Sequence, residues 1–332
     1  MTTNTECGGA RIAGIGHYLP ERILTNFDLE KMVETSNEWI VSRSGIKERH
    51  IAAEEQASSD LAYEASKKAL ERAGTDPKDI DLIIVGTVTS DMPFPSTACV
   101  LQERLGAGKA AAFDVTAACS GFIYGLSIAH SLIAHDKKEK VLVVGVETLS
   151  RITDYEDRTT CVLFGDGAGA AVLEPCAAGD GILSTFMQSD GSYAELLYLP
   201  AGGSRRPLNE ERLKNREQYV KMKGNDLFKY AVRAMVDASR RVLGEVDMST
   251  EELDFLIPHQ ANVRIIKGVS QRLKIPEEKV IVNIDHVGNT SAASIPIAFS
   301  EAVERGKIVR GDKVLMVGFG GGLTWGSVLV EF

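Results

Sequence analysis

Two strand-like segments recur at one fixed spacing, and this repeat limits the fold of the 332-residue chain more than any other feature. Asp81-Leu-Ile-Ile-Val85 matches Asp254-Phe-Leu-Ile-Pro258, and Lys140-Val-Leu-Val-Val-Gly145 matches Lys313-Val-Leu-Met-Val-Gly318, both pairs 173 residues apart. A helical period precedes each first strand: Leu61, Ala62, Ala65, Ala69, Leu70 and Ala73 in one half, residues 227–243 in the other. Between the matched strands each half carries a further strand, a turn of small residues and a helix. In the first half these are residues 110–115, 116–121 and 122–134; in the second they are residues 280–284, 285–291 and 292–305. Strands alternating with helices, and near-continuous apolar strands such as residues 141–145, predict an α/β fold of βα units on a largely parallel, buried sheet.

The duplication divides the chain into halves at 1–180 and 181–332. It predicts two similar α/β layers packed together, with equivalent strand ends facing a common centre, where ligands of such folds sit. Residues 189–225 fit neither half. They hold Pro200, Gly202, Gly203, Arg205, Arg206 and Pro207, then a charged run, and read as a long excursion before the second half, with coverage of the site entrance left open.

Composition removes several function classes. With 46 acidic against 37 basic residues the formal charge is −9, and no block of like charge appears, so nucleic acid and anionic lipid are not expected partners. No apolar run approaches the length of a membrane span. The first ten residues carry neither a basic segment nor a following apolar run, so the expected location is the cytoplasm. Five cysteines, at 7, 99, 119, 161 and 176, form no CxxC pair, and six histidines form no HExxH; neither a disulfide framework nor a metal site is expected.

Each cysteine is therefore judged as a free thiol. Cys119 lies just before Ser120-Gly121-Phe122, at a strand-to-helix junction, where unpaired N–H groups and the positive end of a helix favour thiolate. Ala117, Ala118 and Gly121 leave room there for an acyl group. Cys99 and Cys161 read as packing, and Cys7 and Cys176 have no argued role. His259 occupies a second strand-to-helix junction, and Asn289 stands in the second half's equivalent of the cysteine turn. A thiolate can take an acyl group from a thioester at little cost in energy. A histidine and an asparagine presenting N–H groups to a carbonyl oxygen can then stabilise an enolate formed on loss of carbon dioxide. Hydrolases using Cys-His-Asn place the same groups with histidine as base, so residue types alone leave the acyl acceptor open. Residues 164–171 alternate glycine with other residues without making GxGxxG, and read as a tight structural turn rather than a dinucleotide loop. Gly318-Phe-Gly-Gly-Gly322 permits close backbone approach and can offer an N–H to an oxyanion beside Cys119.

Four segments together resemble the β-ketoacyl-[acyl-carrier-protein] synthase III family, the initiating condensing enzymes of bacterial fatty-acid synthesis. They are Ala118-Cys-Ser-Gly121, Pro258-His-Gln-Ala-Asn262, Gly288-Asn-Thr-Ser-Ala-Ala-Ser294 and Phe319-Gly-Gly-Gly-Leu-Thr-Trp-Gly326, and the likeness runs from about Ala10 to Phe332. It implies a thiolase-like five-layered αβαβα fold, a homodimer, an acyl-CoA substrate with no permanently bound cofactor, and an acyl carrier protein as partner. Carried over by position, Cys119 is the acylated nucleophile and His259 and Asn289 hold the malonyl thioester carbonyl during decarboxylation. The oxyanion is held by the backbone N–H groups of Cys119 and of a glycine in this loop, with Gly321 as the choice. Trp39, Arg43 and Arg158 fall at coenzyme A positions, a tryptophan and a guanidinium being suited to stacking on a base. Phe94, contributed by the partner subunit, and Phe319 fall at the acyl pocket, while Lys229, Arg264 and Lys267 fall where a carrier protein docks. The resemblance excludes a degradative thiolase, which carries a second cysteine in the last glycine loop, and an elongating enzyme, which has histidine where Asn289 stands. A Cys-His-Asn enzyme of a secondary pathway and a noncatalytic thiolase-fold interaction protein are the alternatives.

Overall fold

The computed structural model describes residues 8–135 and 137–332; Cys7 lies outside them. The first half runs β1 (Gly9–Tyr18), β2 (Arg22–Thr25), α1 (Asn26–Leu29), α2 (Asn37–Ser44), β3 (Glu48–Ile51), α3 (Ser58–Ala73), β4 (Leu82–Gly86), α4 (Thr97–Leu105), β5 (Ala111–Val115), α5 (Gly121–Ala134), β6 (Val141–Thr148) and β7 (Asp166–Cys176). The second runs β8 (Ile182–Ser189), β9 (Leu197–Tyr198), α6 (Glu210–Lys214), β10 (Lys221–Met222), α7 (Gly224–Glu245), β11 (Phe255–Pro258), α8 (Val263–Leu273), α9 (Ile284–Val287), α10 (Ser294–Glu304), β12 (Lys313–Gly320) and β13 (Thr324–Glu331).

One sheet has the order β1-β7-β6-β4-β5 and the other β8-β13-β12-β11, so the two repeat the same plan. Five layers result. Helices α3 and α4 cover the outer face of the first sheet, α5 and α10 lie between the sheets, and α7 with α8 covers the outer face of the second. Strands β4 and β6 are buried along their whole length, which explains their unbroken apolar sequence. Phe122 of α5 and Phe299 of α10 are fully enclosed in the middle layer, each stabilising it by roughly 1.5–3 kcal/mol of apolar burial.

Four sequence expectations change. The sheets are mixed rather than largely parallel: β4 pairs in parallel with β5 and β6, but β7 runs antiparallel to β1 and β6, and β13 antiparallel to β12 and β8. No α-helix stands between β6 and β7 or between β12 and β13: a single 3-10 turn, Leu149–Ile152, and irregular chain link the first pair and a short turn the second, and both return antiparallel. Residues 280–284 do not form a strand. A single bridge joins Val280 to Leu256, and the Gln260 side chain continues the ladder, donating to the Ile281 carbonyl at 3.2 Å and accepting from the Asn283 N–H at 3.1 Å. Residues 164–171 are not a tight turn but the entry to buried strand β7. Their alternate glycines share one face, against Val287, Ile297 and Pro296, and admit the α9–α10 segment at backbone distance. Cys99, expected as packing, is exposed on α4, whereas Cys161 is buried as expected.

Candidate active site

The two central helices begin at facing turns. Ala118–Ser120 leads into α5 and Ser291–Ala293 into α10, each a single 3-10 turn, and each turn has a non-glycine residue in left-handed geometry, Ala118 at φ 45° and Ser291 at φ 47°. The turns touch one another, and each presses on the other half's sheet. A side chain at Gly320 would meet the Cys119 backbone nitrogen at 2.5 Å, and one at Gly145 the Ala292 carbonyl closer still, so both positions need glycine for backbone approach. Thr324 donates to the Ala117 carbonyl at 2.8 Å and Ser120 to the Thr324 carbonyl at 3.1 Å, which ties the cysteine turn to the loop after β12.

Cys119 is buried at the start of α5. Burial pushes its thiol up to about 12, an effect that a hydrogen bond from Ser291 opposes and the nearby Glu147 reinforces. The helix end favours the thiolate and desolvation the thiol, so burial acts against the expectation drawn from the helix position.

His259 follows β11, its N–H donating to the Val317 carbonyl at 2.8 Å. Its Nδ1 lies 2.6 Å from Ser294 Oγ, which also accepts the Gln260 N–H at 3.4 Å. The Ser294 proton is thereby directed to Nδ1, which favours the tautomer with N–H at Nε2. Burial lowers the ring to about 3, so it is neutral at physiological pH. Asn289 is held on both sides of its backbone, its N–H donating to the Leu163 carbonyl at 2.9 Å and its carbonyl accepting from Gly165 at 3.0 Å. Its Oδ1 accepts the Ser291 N–H at 3.0 Å, and Nδ2 has no hydrogen-bond acceptor among the described residues.

These groups open on one cavity of about 780 Å³. Its buried part is lined by Cys119, His259, Asn289, Phe319 and Gly320, and its exposed part by Arg43, Lys229 and Arg264 beside Trp39. Leu197 of β9 and Met222 of β10 also line it, so the excursion after β8 forms part of the wall. Two guanidinium groups approach the Trp39 ring, Arg158 at 5.2 Å and Arg43 at 5.9 Å from its centroid. Gly320, rather than Gly321, packs closest to the Cys119 backbone, but the Gly321 N–H has no hydrogen-bond acceptor among the described residues. Phe94 is 85% exposed and does not reach the cavity of its own chain; Lys267 is exposed on α8 outside it.

Three neighbours escaped the sequence reading: Ser294, Ser291 and Glu147. The serines were hidden in a motif where only Asn289 drew notice. Glu147 had a legible signal, an acid within the apolar, buried run of β6.

Comparisons with known proteins come to one result. The family model described as 3-Oxoacyl-[acyl-carrier-protein (ACP)] synthase III matches residues 113–191, and its C-terminal counterpart matches residues 243–332. A β-ketoacyl-[acyl-carrier-protein] synthase III of Caldanaerobacter subterraneus subsp. tengcongensis is 54% identical over 323 residues, 97% of this chain and 98% of that one. The crystal structure of 3-oxoacyl-[acyl-carrier-protein] synthase III from Aquifex aeolicus VF5 superposes with a TM-score of 0.90 at 51% identity, covering 98% of this chain and 100% of the other. The priming β-ketosynthase of the R1128 polyketide pathway superposes at 0.89 with 35% identity, over 97% and 96% of the two chains.

Proposed function

The chain belongs to the β-ketoacyl-[acyl-carrier-protein] synthase III family, and from that premise we propose that it condenses a short acyl-CoA, acetyl-CoA first among them, with malonyl-[acyl-carrier-protein] to start fatty-acid synthesis. The observation that carries this reading is the convergence of the Cys119 sulfur with the donor ends of His259 and Asn289 on one cavity.

In the first half-reaction the Cys119 sulfur attacks the thioester carbonyl and coenzyme A leaves. The N–H groups of Cys119 and Gly321 hold the tetrahedral oxyanion. In the second, malonyl carrier protein enters, and His259 Nε2–H and Asn289 Nδ2–H bind its thioester carbonyl. Loss of carbon dioxide leaves an enolate on that oxygen, and its carbon attacks the acyl group on sulfur. A neutral imidazole bearing its proton on Nε2 is suited to donate here and unsuited to act as base on the thiol, which favours condensation over a protease-like reaction.

The adenine of coenzyme A is assigned to Trp39 and Arg158, with Arg43 nearby, and the acidic carrier protein to Lys229, Arg264 and Lys267 on a chain otherwise of charge −9. A homodimer is supported by the outer edge of β5, unpaired among the described residues, and by exposed Phe94, Phe113 and Cys99 close to it in sequence. In that assembly Phe94 closes the partner's acyl channel and limits the starter to short chains. No resident cofactor is assigned, and the cytoplasm is the proposed location; no helix among the described residues is long and apolar enough to cross a membrane. The identity to a fatty-acid relative, 54%, exceeds that to the polyketide priming enzyme, 35%, and favours the primary pathway.

The test is to incubate the protein with acetyl-CoA and map the acyl mass by peptide spectrometry. Acetyl on Cys119, discharged by malonyl carrier protein with release of carbon dioxide, is expected. Modification of another residue, or none with acetyl, propionyl and branched starters, overturns the reading.

A further inference from the structure

A buried cation that the reaction does not use stands behind Asn289. Arg49 of β3 is fully enclosed, and every hydrogen bond it makes goes to a neutral oxygen. One terminal nitrogen donates at 3.0 Å to both the Leu24 carbonyl and Asn26 Oδ1, and the other donates at 2.8 Å to the Val162 carbonyl. No other donor reaches that carbonyl among the described residues. A charge shut away from water among neutral partners is costly, and an apolar side chain often fills such a space with no loss of stability. What the guanidinium adds is a rigid, planar fork that ties two segments together in fixed geometry.

The segment it ties is the one that holds Asn289. Directly after Val162, the Leu163 carbonyl accepts the Asn289 N–H at 2.9 Å, and the Gly165 N–H donates to the Asn289 carbonyl at 3.0 Å. The stem of Arg49 presses on the same joint: a side chain at Gly288 would meet its Cβ at 2.9 Å, and one at Gly165 would meet it at 3.0 Å. The far end of the fork is equally fixed. Asn26 is buried, its N–H donating to the Lys47 carbonyl at 3.0 Å and its side-chain amide to the Ile46 carbonyl at 2.7 Å. The Lys47 N–H donates in turn to the Asp285 carbonyl at 2.8 Å, on α9 just ahead of Gly288. Asn289 therefore stands in a closed frame, and Arg49 is a strut of that frame.

We propose that Arg49 is a positioning residue for the condensation step, fixing the Val162–Gly165 segment so that Asn289 Nδ2 is aimed at the malonyl thioester oxygen. The inference rests on the reading of Asn289 as a donor to that oxygen. Arg49 does not line the cavity, so it acts through another residue. The Cys119 turn is held by Thr324, and His259 by the Val317 carbonyl and Ser294, so neither depends on this frame. Loss of the strut should therefore displace one enolate donor and spare the sulfur.

The test is a double-mutant cycle read on two half-reactions, decarboxylation of malonyl carrier protein and single-turnover acylation of Cys119 at saturating acetyl-CoA. Arg49→Lys keeps the charge and loses the fork. It should lower decarboxylation by about 10- to 100-fold, as a displacement of roughly 1 Å at a catalytic group does, and leave acylation within about threefold of wild type. In the Asn289→Ala background it should change decarboxylation by less than about twofold, because the group it positions is gone. Equal losses in the two backgrounds, or equal losses of both half-reactions, would overturn the positioning role. Arg49→Met repeats the cycle without a buried charge if the lysine variant does not fold; failure of both to fold would make Arg49 a requirement of the fold instead and also overturn it. Decarboxylation at the wild-type rate by Asn289→Ala would defeat the reading of Asn289 itself, and the inference with it.

Discussion

The turn that carries Cys119 and the turn 173 residues later have the same backbone and different chemistry. Ala292 stands where Cys119 would repeat, Thr116 answers Asn289, and Gly86 answers His259. In the first half a side chain on Gly86 would strike the Gly121 backbone; at the equivalent place in the second half His259 reaches Ser294 at 2.6 Å. One copy thus spends the space at its strand end on backbone contact, and the other fills it with a hydrogen-bonded pair. The pseudo-symmetric fold supplies two strand-to-helix junctions, but only side chains taken from both halves complete a site. The sulfur comes from one half and its donors come from the other.

Moving the sulfur across the pseudo-symmetry axis would test that asymmetry most severely. Cys119→Ala combined with Ala292→Cys leaves the thiol count unchanged but puts the new sulfur at a position 1% exposed, off the cavity lining and against Gly121. Acylation by acetyl-CoA should fall below detection, and so should condensation. Acyl mass recovered at position 292 would mean that the two turns are chemically equivalent.

The repeat was legible because buried strands reuse a small alphabet at fixed spacing, and Cys119, His259 and Asn289 because each stands at a strand end. The state of the thiol was not. Helix position can be read from sequence, whereas the burial that pushes Cys119 up depends on the opposing half. The missing fifth strand of the second sheet was hidden for a similar reason: residues 280–284 have strand composition, but the Gln260 amide supplies their hydrogen bonds from another segment. Phe94 resists assignment within one chain because nothing in its own chain covers it.

A smaller effect should separate the donors from the sulfur. His259→Ala or Asn289→Ala removes one hydrogen bond to a developing enolate, costing about 3–4 kcal/mol, or roughly 100- to 1000-fold in malonyl decarboxylation. Self-acylation of Cys119 should survive in both. In wild type the decarboxylation rate should be flat from about pH 5 to 9, because His259 takes up a proton only as pH falls toward about 3. If either variant lost acylation and decarboxylation equally while folded, the division of labour between the halves would be wrong.

The smallest expected effect lies at the cavity mouth, where the halves also differ. On α4, the counterpart of α8, Arg104 is paired with Asp60 at 2.5 Å and lies over Tyr63. On α8, Arg264 has no acidic partner among the described residues, stands 5.9 Å from the Phe228 ring centroid and opens on the cavity. An exposed charge at an interface rim acts mainly on encounter and is screened by salt, so Arg264→Glu should raise KM for malonyl carrier protein by about three- to tenfold at low ionic strength. The rise should shrink with added salt, and acetyl-CoA acylation should change little. Arg104→Glu is the charge-matched control on the other half, off the cavity lining, and should leave that KM unmoved. An equal rise from both variants would assign the effect to net charge; impairment of acylation by Arg264→Glu alone would move this arginine from carrier docking to coenzyme A.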